Sequence, residues 1–360
     1  MKLSRRWGIL ATGLSLISIS LIGCGGGDGT IDPDPTPTPT PTPTPGGGSS
    51  YRLKSLVPDA LMTKNTKANA INADGTLQGG VSYTTTADPH ALVWNSSPNV
   101  MVDMGPGEVR ALEADVQIGF TGTESMPSER AVLWRGSEAS RVELHPAGYS
   151  SSHAVGGDAT IQVGRARTIA GDSHAMLWRG TAASAVDLHS AAYSLTRAYG
   201  GNATTQVGNG RLNSVEHALL WHGTPESLVD MGPGIAWAVS GDTQVGQGVV
   251  SGGMTHALLW KGTEASKVDL HPAGFQQSRA FGVAGNRQVG YADTASSTHA
   301  IVWSGTAASA VDLHQFTQSF LINGAPPAHS YASGIDNNGN VVGSVRGTNG
   351  LDYAVIWERI

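Results

Sequence analysis

Tryptophan recurs at Trp94, Trp134, Trp178, Trp221, Trp260, Trp303 and Trp357, at spacings of 40, 44, 43, 39, 43 and 54 residues. Each closes the same short segment: His90-Ala-Leu-Val-Trp94, His174-Ala-Met-Leu-Trp178, His217-Ala-Leu-Leu-Trp221, His256-Ala-Leu-Leu-Trp260 and His299-Ala-Ile-Val-Trp303, with Arg130 and Tyr353 replacing His in the other two. A repeat of this period confines the chain to architectures built from one repeated unit. An Ala followed by apolar residues and bounded by turns reads as a short strand buried on both faces.

Other segments recur in step with it. After the Trp comes a turn, Gly-containing in most units, and then a segment such as Val102-Asp-Met-Gly105, Val268-Asp-Leu-His271 or Val311-Asp-Leu-His314. Before it stand pairs such as Arg197-Ala-Tyr-Gly with Gln206-Val-Gly, or Arg279-Ala-Phe-Gly with Gln288-Val-Gly. Asn72-Ala-Asp-Gly75 and Asp336-Asn-Asn-Gly339 between them are turn signals. Each unit therefore has four strands, here lettered a to d in chain order. Four-stranded units of this length predict an all-β chain, a seven-bladed β-propeller. The last unit ends at Trp357 without strand d, while Tyr51–Pro58 aligns with Lys267–Pro272. The N-terminal strand is thus expected to complete the seventh blade, three strands plus one, which leaves no orphan edge.

Composition narrows the function classes. The chain holds 48 Gly but a single Cys among 360 residues, which excludes a disulfide framework and any Cys-built metal site. Lys2, Arg5 and Arg6 precede the apolar and small-residue stretch Trp7–Ser20, and then comes Leu21-Ile22-Gly23-Cys24. This tripartite order resembles a bacterial lipoprotein signal, which implies cleavage before an acylated Cys24. Residues 1–23 are then the signal peptide. Residues 24–50 are the lipidated Cys and a Gly/Pro/Thr-rich stalk, and 51–360 the propeller. The Pro-Thr alternation to Pro45 favours an extended polyproline stalk of about 40 Å. Several acyl chains make the anchor stable. Gly25, rather than Asp, after the Cys favours the outer membrane or cell surface over the inner membrane by resemblance to enterobacterial sorting rules. Loss of residues 1–23 removes three of 22 basic residues and none of the 28 acidic ones, leaving a formal charge of −9. That balance, without a basic run, argues against nucleic-acid binding.

The His-Ala-apolar-apolar-Trp unit resembles the bacterial extracellular HAF-repeat family. So does the segment Ala332-Ser-Gly-Ile-Asp-Asn-Asn-Gly-Asn-Val-Val-Gly343. The resemblance spans essentially all of 51–360 and departs from the family spelling where Leu, Met or Ile replaces Phe. It implies a β-propeller with an exported or surface location. It carries no catalytic residue to transfer.

Histidines recur at symmetric positions in the blades, His90, His174, His217, His256 and His299 in strand c and His145, His189, His271 and His314 in strand d. Copies spread around a ring do not converge on one ion. A structural hydrogen bond to backbone or to the d-strand Asp is the expected role, and no metal or cofactor is assigned. Asp336–Asn340 lacks the further oxygen ligands of a calcium loop and reads as a turn.

Function is sought where the repeat breaks. The residue before the strand-a Ala reads Asn69, Arg110, His153, Arg197, Trp237, Arg279 and Tyr331. Strand a is innermost in a propeller, so these predict a ring of donors and aromatic faces at the channel mouth, suited to carboxylate, phosphate or sugar. Wedge-filling between blades is the alternative role. The connector 315–328, with Phe316, Phe320 and Leu321, is a candidate partner loop or a lid packed on the domain. Glu108 and Glu113 are the acidic irregularities near strand a of blade 2. The expected function is a monomeric, lipid-anchored binding module at the bacterial cell envelope. Its expected partners are the bilayer, through Cys24, and an envelope or extracellular protein or glycan at the channel mouth. A polysaccharide lyase or glycosidase with its site there, and a purely structural envelope protein, stay open; no catalytic residue is assigned.

Overall fold

The computed structural model describes residues 50–58, 62–83, 89–95, 97–122, 129–250 and 252–360. The signal peptide, the lipidation site Cys24 and the stalk up to residue 49 lie outside the described residues. The described chain is all-β, seven antiparallel four-stranded sheets arranged as the blades of a propeller. Its helices among the described residues are short 3-10 turns, five between strands c and d and one, His314–Thr317, in the connector from blade 6 to blade 7.

Blade 3 shows the plan. Its strands are Tyr149–Gly157 (a), Gln162–Thr168 (b), Ser173–Trp178 (c) and Val186–Asp187 (d), paired in that order. The other a strands are Asn65–Ile71, Glu108–Glu113, Thr196–Gly201, Ile235–Ser240, Gln277–Ala284 and His329–Ile335. In blade 7, Tyr51–Ser55 occupies the d position and pairs with the c strand Asp352–Arg359, from Tyr51 opposite Arg359 to Ser55 opposite Val355. The last blade is thus built from both ends of the domain.

The core lies in the wedges between blades. Val132 and Trp134 pack with Ala91, Val93, Val109 and Leu112, whereas Ala131 and Leu133 pack with Ala154, Met176 and Trp178. Strand c is therefore buried on both faces, which is why its sequence runs apolar without alternation. All seven repeated Trp are fully buried. Each contributes about 4–6 kcal/mol of apolar transfer free energy at ~25 cal/mol per Å². Their indole N–H groups have no hydrogen-bond partner among the described residues, so packing alone holds them.

The polar letters of the repeat tie strands together. The strand-b Gln joins the two turns at one end of the blade. Gln162 Oε1 accepts from Gly180 N–H at 2.8 Å, while its amide donates to Asp158 O. Gln117, Gln206, Gln244 and Gln288 repeat this. At five blade junctions a buried hydroxyl on the next blade's strand a accepts the N–H of the c-strand Ala: Thr66, Ser152, Thr196, Ser278 and Ser330. The junction of blades 7 and 1, through Ala354 and Thr66, follows the same rule. Blades 2 and 5 instead begin after Pro106-Gly107 and Pro233-Gly234, whose glycine N–H groups donate to Pro89 O and Glu216 O. The c-strand His bonds the d-strand Asp in five blades, as in His174 Nδ1 to Asp187 Oδ2 at 2.7 Å. Its ring also stacks on the following His in three of them, at 3.9–4.3 Å between centroids.

Candidate functional site

Every strand a carries a β-bulge at the same register position, and it is at this bulge that the channel is built; blade 3 has a second irregularity between Tyr149 and Ser151. The extra residue is Asn69, Arg110, Val155, Tyr199, Trp237, Phe281 or Ser333 in blades 1 to 7. A bulge re-aims a side chain and twists the strand locally. The bulge also presses the carbonyl two residues earlier against strand b. A Cβ on the facing residue, Gly164 in blade 3, would lie 1.8 Å from His153 O. That contact explains the Gly of Gln-Val-Gly.

This register corrects the ring expected from sequence. Asn69, Arg110 and Trp237 are the bulge residues of their blades. His153, Arg197, Arg279 and Tyr331 lie two residues earlier, level with Lys67, Glu108 and Ile235. The seven therefore form two tiers, not one ring. The cause is the repeat itself. The residue after the bulge is Ala in blades 1, 2 and 5 but Gly in blades 3, 4, 6 and 7, so counting from the Ala shifts the frame by two in four blades.

A cavity of about 630 Å³ opens above the bulge tier, on the face that carries the b–c turns. The range is that of small-ligand clefts, about 300–1,000 Å³. Asn69, Arg110, Trp237 and Tyr331 line it; His153, Arg197 and Arg279 do not. A smaller cavity of about 230 Å³ lies on the other side of the same tier.

The large cavity has two unlike walls. Blades 4 to 7 supply aromatic rings. Tyr199 and Trp237 are 4.3 Å apart between centroids, Trp237 and Phe281 5.5 Å, Phe281 and Tyr291 5.4 Å, and Tyr291 and Tyr331 5.5 Å. Gln247 Oε1 accepts the Trp237 indole N–H at 3.2 Å and fixes the ring. Burial, first among several influences, raises the Tyr291 hydroxyl above its ordinary pKa and keeps it neutral. The other wall, across blades 7 and 1 to 3, carries Arg346, Lys67, Arg110 and Arg165 with Asp352 and Glu108. Asp352 holds Arg346 through two bonds of 2.8 and 3.0 Å and stands 3.5 Å from Lys67. The bond to Asp352 raises Arg346 further above its already high pKa, so its charge is permanent. Glu108 accepts from Asn69 at 2.9 Å and lies 3.2 Å from Arg110.

Behind this wall His153 is buried between blades 2 and 3, stacked on Phe120 at 4.5 Å. Burial, and then the Arg165, Arg110 and Arg167 guanidiniums, push its imidazolium well below the ordinary range. The neutral ring donates through Nε2 to buried Glu129 and accepts from Arg165 Nη2 at 3.3 Å through Nδ1. His153 is thus a positioning residue for Arg165. Arg279 is held by Gln277, Tyr291 and Asp293. The Nε of Arg197 is buried without a hydrogen-bond partner among the described residues. Glu113 faces the a–b turn end and does not line the large cavity.

In the 315–328 connector, Phe316 packs against Tyr51 at 5.8 Å, and both Phe316 and Phe320 rest on the blade 7 core, while Leu321 is exposed. No group of three or more His, Cys, Asp and Glu suited to a metal occurs among the described residues.

Lys67, Arg165, Tyr291 and Arg346 line the site and were not singled out from sequence. The signal for two of them was available. The residue after the Gly of strand b reads Val81, Phe120, Arg165, Asn209, Gln247, Tyr291 and Ser344, as irregular as strand a.

No protein-family model matches the chain, and no curated protein matches it in sequence. Its fold is similar to solved structures. The β-propeller domain of the Trilobed protease from Pyrococcus furiosus aligns with TM-score 0.57 at 8% identity, over 82% of this chain and 97% of that one. Pyrococcus horikoshii acylaminoacyl peptidase aligns at 0.56 and 7%, over 84% of this chain and 53% of that one. An oligogalacturonate lyase in complex with manganese aligns at 0.56 and 9%, over 87% and 96%. At these identities the likeness is one of fold.

Proposed function

We propose that the chain is a lipid-anchored interaction module of a bacterial envelope that binds a glycan in the channel mouth. The observation that carries this reading is the aromatic wall. The cavity gathers Tyr83, Tyr199, Trp237, Phe281, Tyr291 and Tyr331, six of only 22 aromatic residues in the chain, when seven others are spent one per blade on wedge packing. Half-buried rings set side by side suit the apolar faces of sugars, and the polar wall opposite suits their hydroxyls. A binding role fits better than catalysis because both cavity carboxylates, Glu108 and Asp352, are engaged by cations. Anchoring rests on the signal ending at Cys24. No helix among the described residues is long and apolar enough to cross a membrane.

A glycan and peptide array probed with the full chain tests the binding. Retention of glycans that Trp237→Ala abolishes is the expected result. Binding that survives Trp237→Ala, or peptides alone retained, contradicts the reading. Metabolic labelling with a palmitate analogue tests the anchor; Cys24→Ser should remove the label and release the protein from membranes.

A further inference from the structure

The two walls of the cavity differ in charge as well as in polarity, and the difference is directional. Among the described lining residues there are four cations and two carboxylates, a local excess of +2 in a chain of formal charge −6. The carboxylates are also hidden. The side chains of Asp352 and Glu108 are 5% and 6% exposed, whereas those of their partners Lys67, Arg110 and Arg346 are 43%, 33% and 40% exposed. A ligand in the mouth therefore meets ammonium and guanidinium groups, with the acids behind them. Those acids hold the cations in place before any ligand arrives, and His153 does the same for Arg165. Such pre-organisation lowers the ordering cost of binding.

We infer that the ligand of this site is an acidic saccharide of the uronic acid class. This rests on the glycan reading above and deepens it. The sugar rings lie along the wall centred on Trp237. Their carboxylates face Lys67, Arg110, Arg165 and Arg346. Planar, fixed guanidiniums match carboxylates through paired hydrogen bonds, and alternating ring faces and carboxylates along one short chain match two walls that face each other across a channel. A neutral glycan would leave the cationic wall unanswered, and a simple anion would leave the aromatic wall empty.

Isothermal titration of the full chain tests the inference with three probes of matched length: alginate oligomers, the same oligomers with carboxyls reduced to alcohols, and sulfated oligosaccharides that carry no carboxylate. Alginate oligomers should bind roughly tenfold or more tightly than the reduced ones, as charged hydrogen bonds require. The advantage should shrink as salt rises from about 0.05 to 0.5 M. Lys67→Gln, at an exposed position, and Arg110→Gln should each weaken alginate binding several-fold and weaken binding of the reduced oligomers far less, so that the alginate advantage shrinks in both variants. Equal binding of acidic and reduced oligomers, or binding of the sulfated probe alone, would overturn the uronate assignment and leave the glycan reading intact. If none of the saccharides bound, both would fall.

Discussion

Thr196→Val asks whether the blade junctions are held by hydroxyls or only by apolar contact. Thr196 is fully buried at the junction of blades 3 and 4. Its Oγ1 accepts the Ala175 N–H at 3.0 Å and lies 3.0 Å from His189 Nδ1. Burial first, and then the neighbouring His174, lowers the His189 pKa, so the ring is neutral and Nδ1 can accept the hydroxyl proton. The substitution keeps the shape, adds apolar surface and orphans a backbone N–H that is fully buried. Leaving a buried donor unsatisfied costs about 1–3 kcal/mol, and His189, being partly exposed, can turn to water for little. A net loss of about 2 kcal/mol follows, near 3 °C in Tm for a domain of this length. Thr196→Ser removes only a methyl, about 1 kcal/mol, and reproduces what blades 3, 6 and 7 already have. Chemical denaturation of the two variants, with hydrogen exchange read at the Ala175 amide, gives the order. Serine should be the milder change, and the Ala175 amide should lose protection in the valine variant. A valine variant as stable as wild type would refute the hydroxyl relay.

Three other outcomes follow from the same geometry. Gly246→Ala places a Cβ 1.9 Å from Ile235 O, between backbones that cannot yield, and should cost 3 kcal/mol or more as a rough figure, seen as a large fall in denaturant midpoint or failure to fold. Trp303→Phe should be milder than Trp303→Ala by about 2 kcal/mol, because Phe keeps most of the buried area and removes an indole N–H that has no partner; equal losses in thermal melts would contradict packing as the role of that ring. Stability should fall on acidification through a window set by the histidines. His145, His153, His189, His271 and His314 all have depressed pKa values, chiefly from burial, with His314 down to about 4 and His153 to about 3. The unfolded chain protonates near 6.5 and the folded one only lower, so stability is intact above pH ~6.5 and drains away as pH falls towards about 3. Melts across that range check this, and His314→Gln should flatten the slope.

The parts of this fold that repeat were legible, because repetition reports what every blade needs. Trp, the c-strand Ala and the apolar residues between them recur where strand c is buried on both faces. The strand-b Gly recurs because a carbonyl presses on it in every blade. The site was legible only in part. Asn69, Arg110, Trp237 and Tyr331 line the cavity, but His153, Arg197 and Arg279 sit elsewhere, since a bulge adds a residue that no local propensity marks. Ala and Gly serve equally well after the bulge, so the sequence offers two frames two residues apart. Arg346 and Lys67 were hidden for another reason. They come from adjoining blades at opposite ends of the domain and meet only through Asp352.

The most direct test is to map where a saccharide sits. Hydroxyl-radical footprinting of the full chain, with and without saturating alginate oligomers, reports on aromatic side chains one by one. Trp237, Tyr199 and Phe281 should gain protection together, while exposed Met254 at the b–c turn of blade 5 and Leu321 in the 315–328 connector stay as reactive as before. Protection of Leu321 or of the outer strands, with Trp237 unchanged, would place the ligand off the channel and contradict the channel-mouth site.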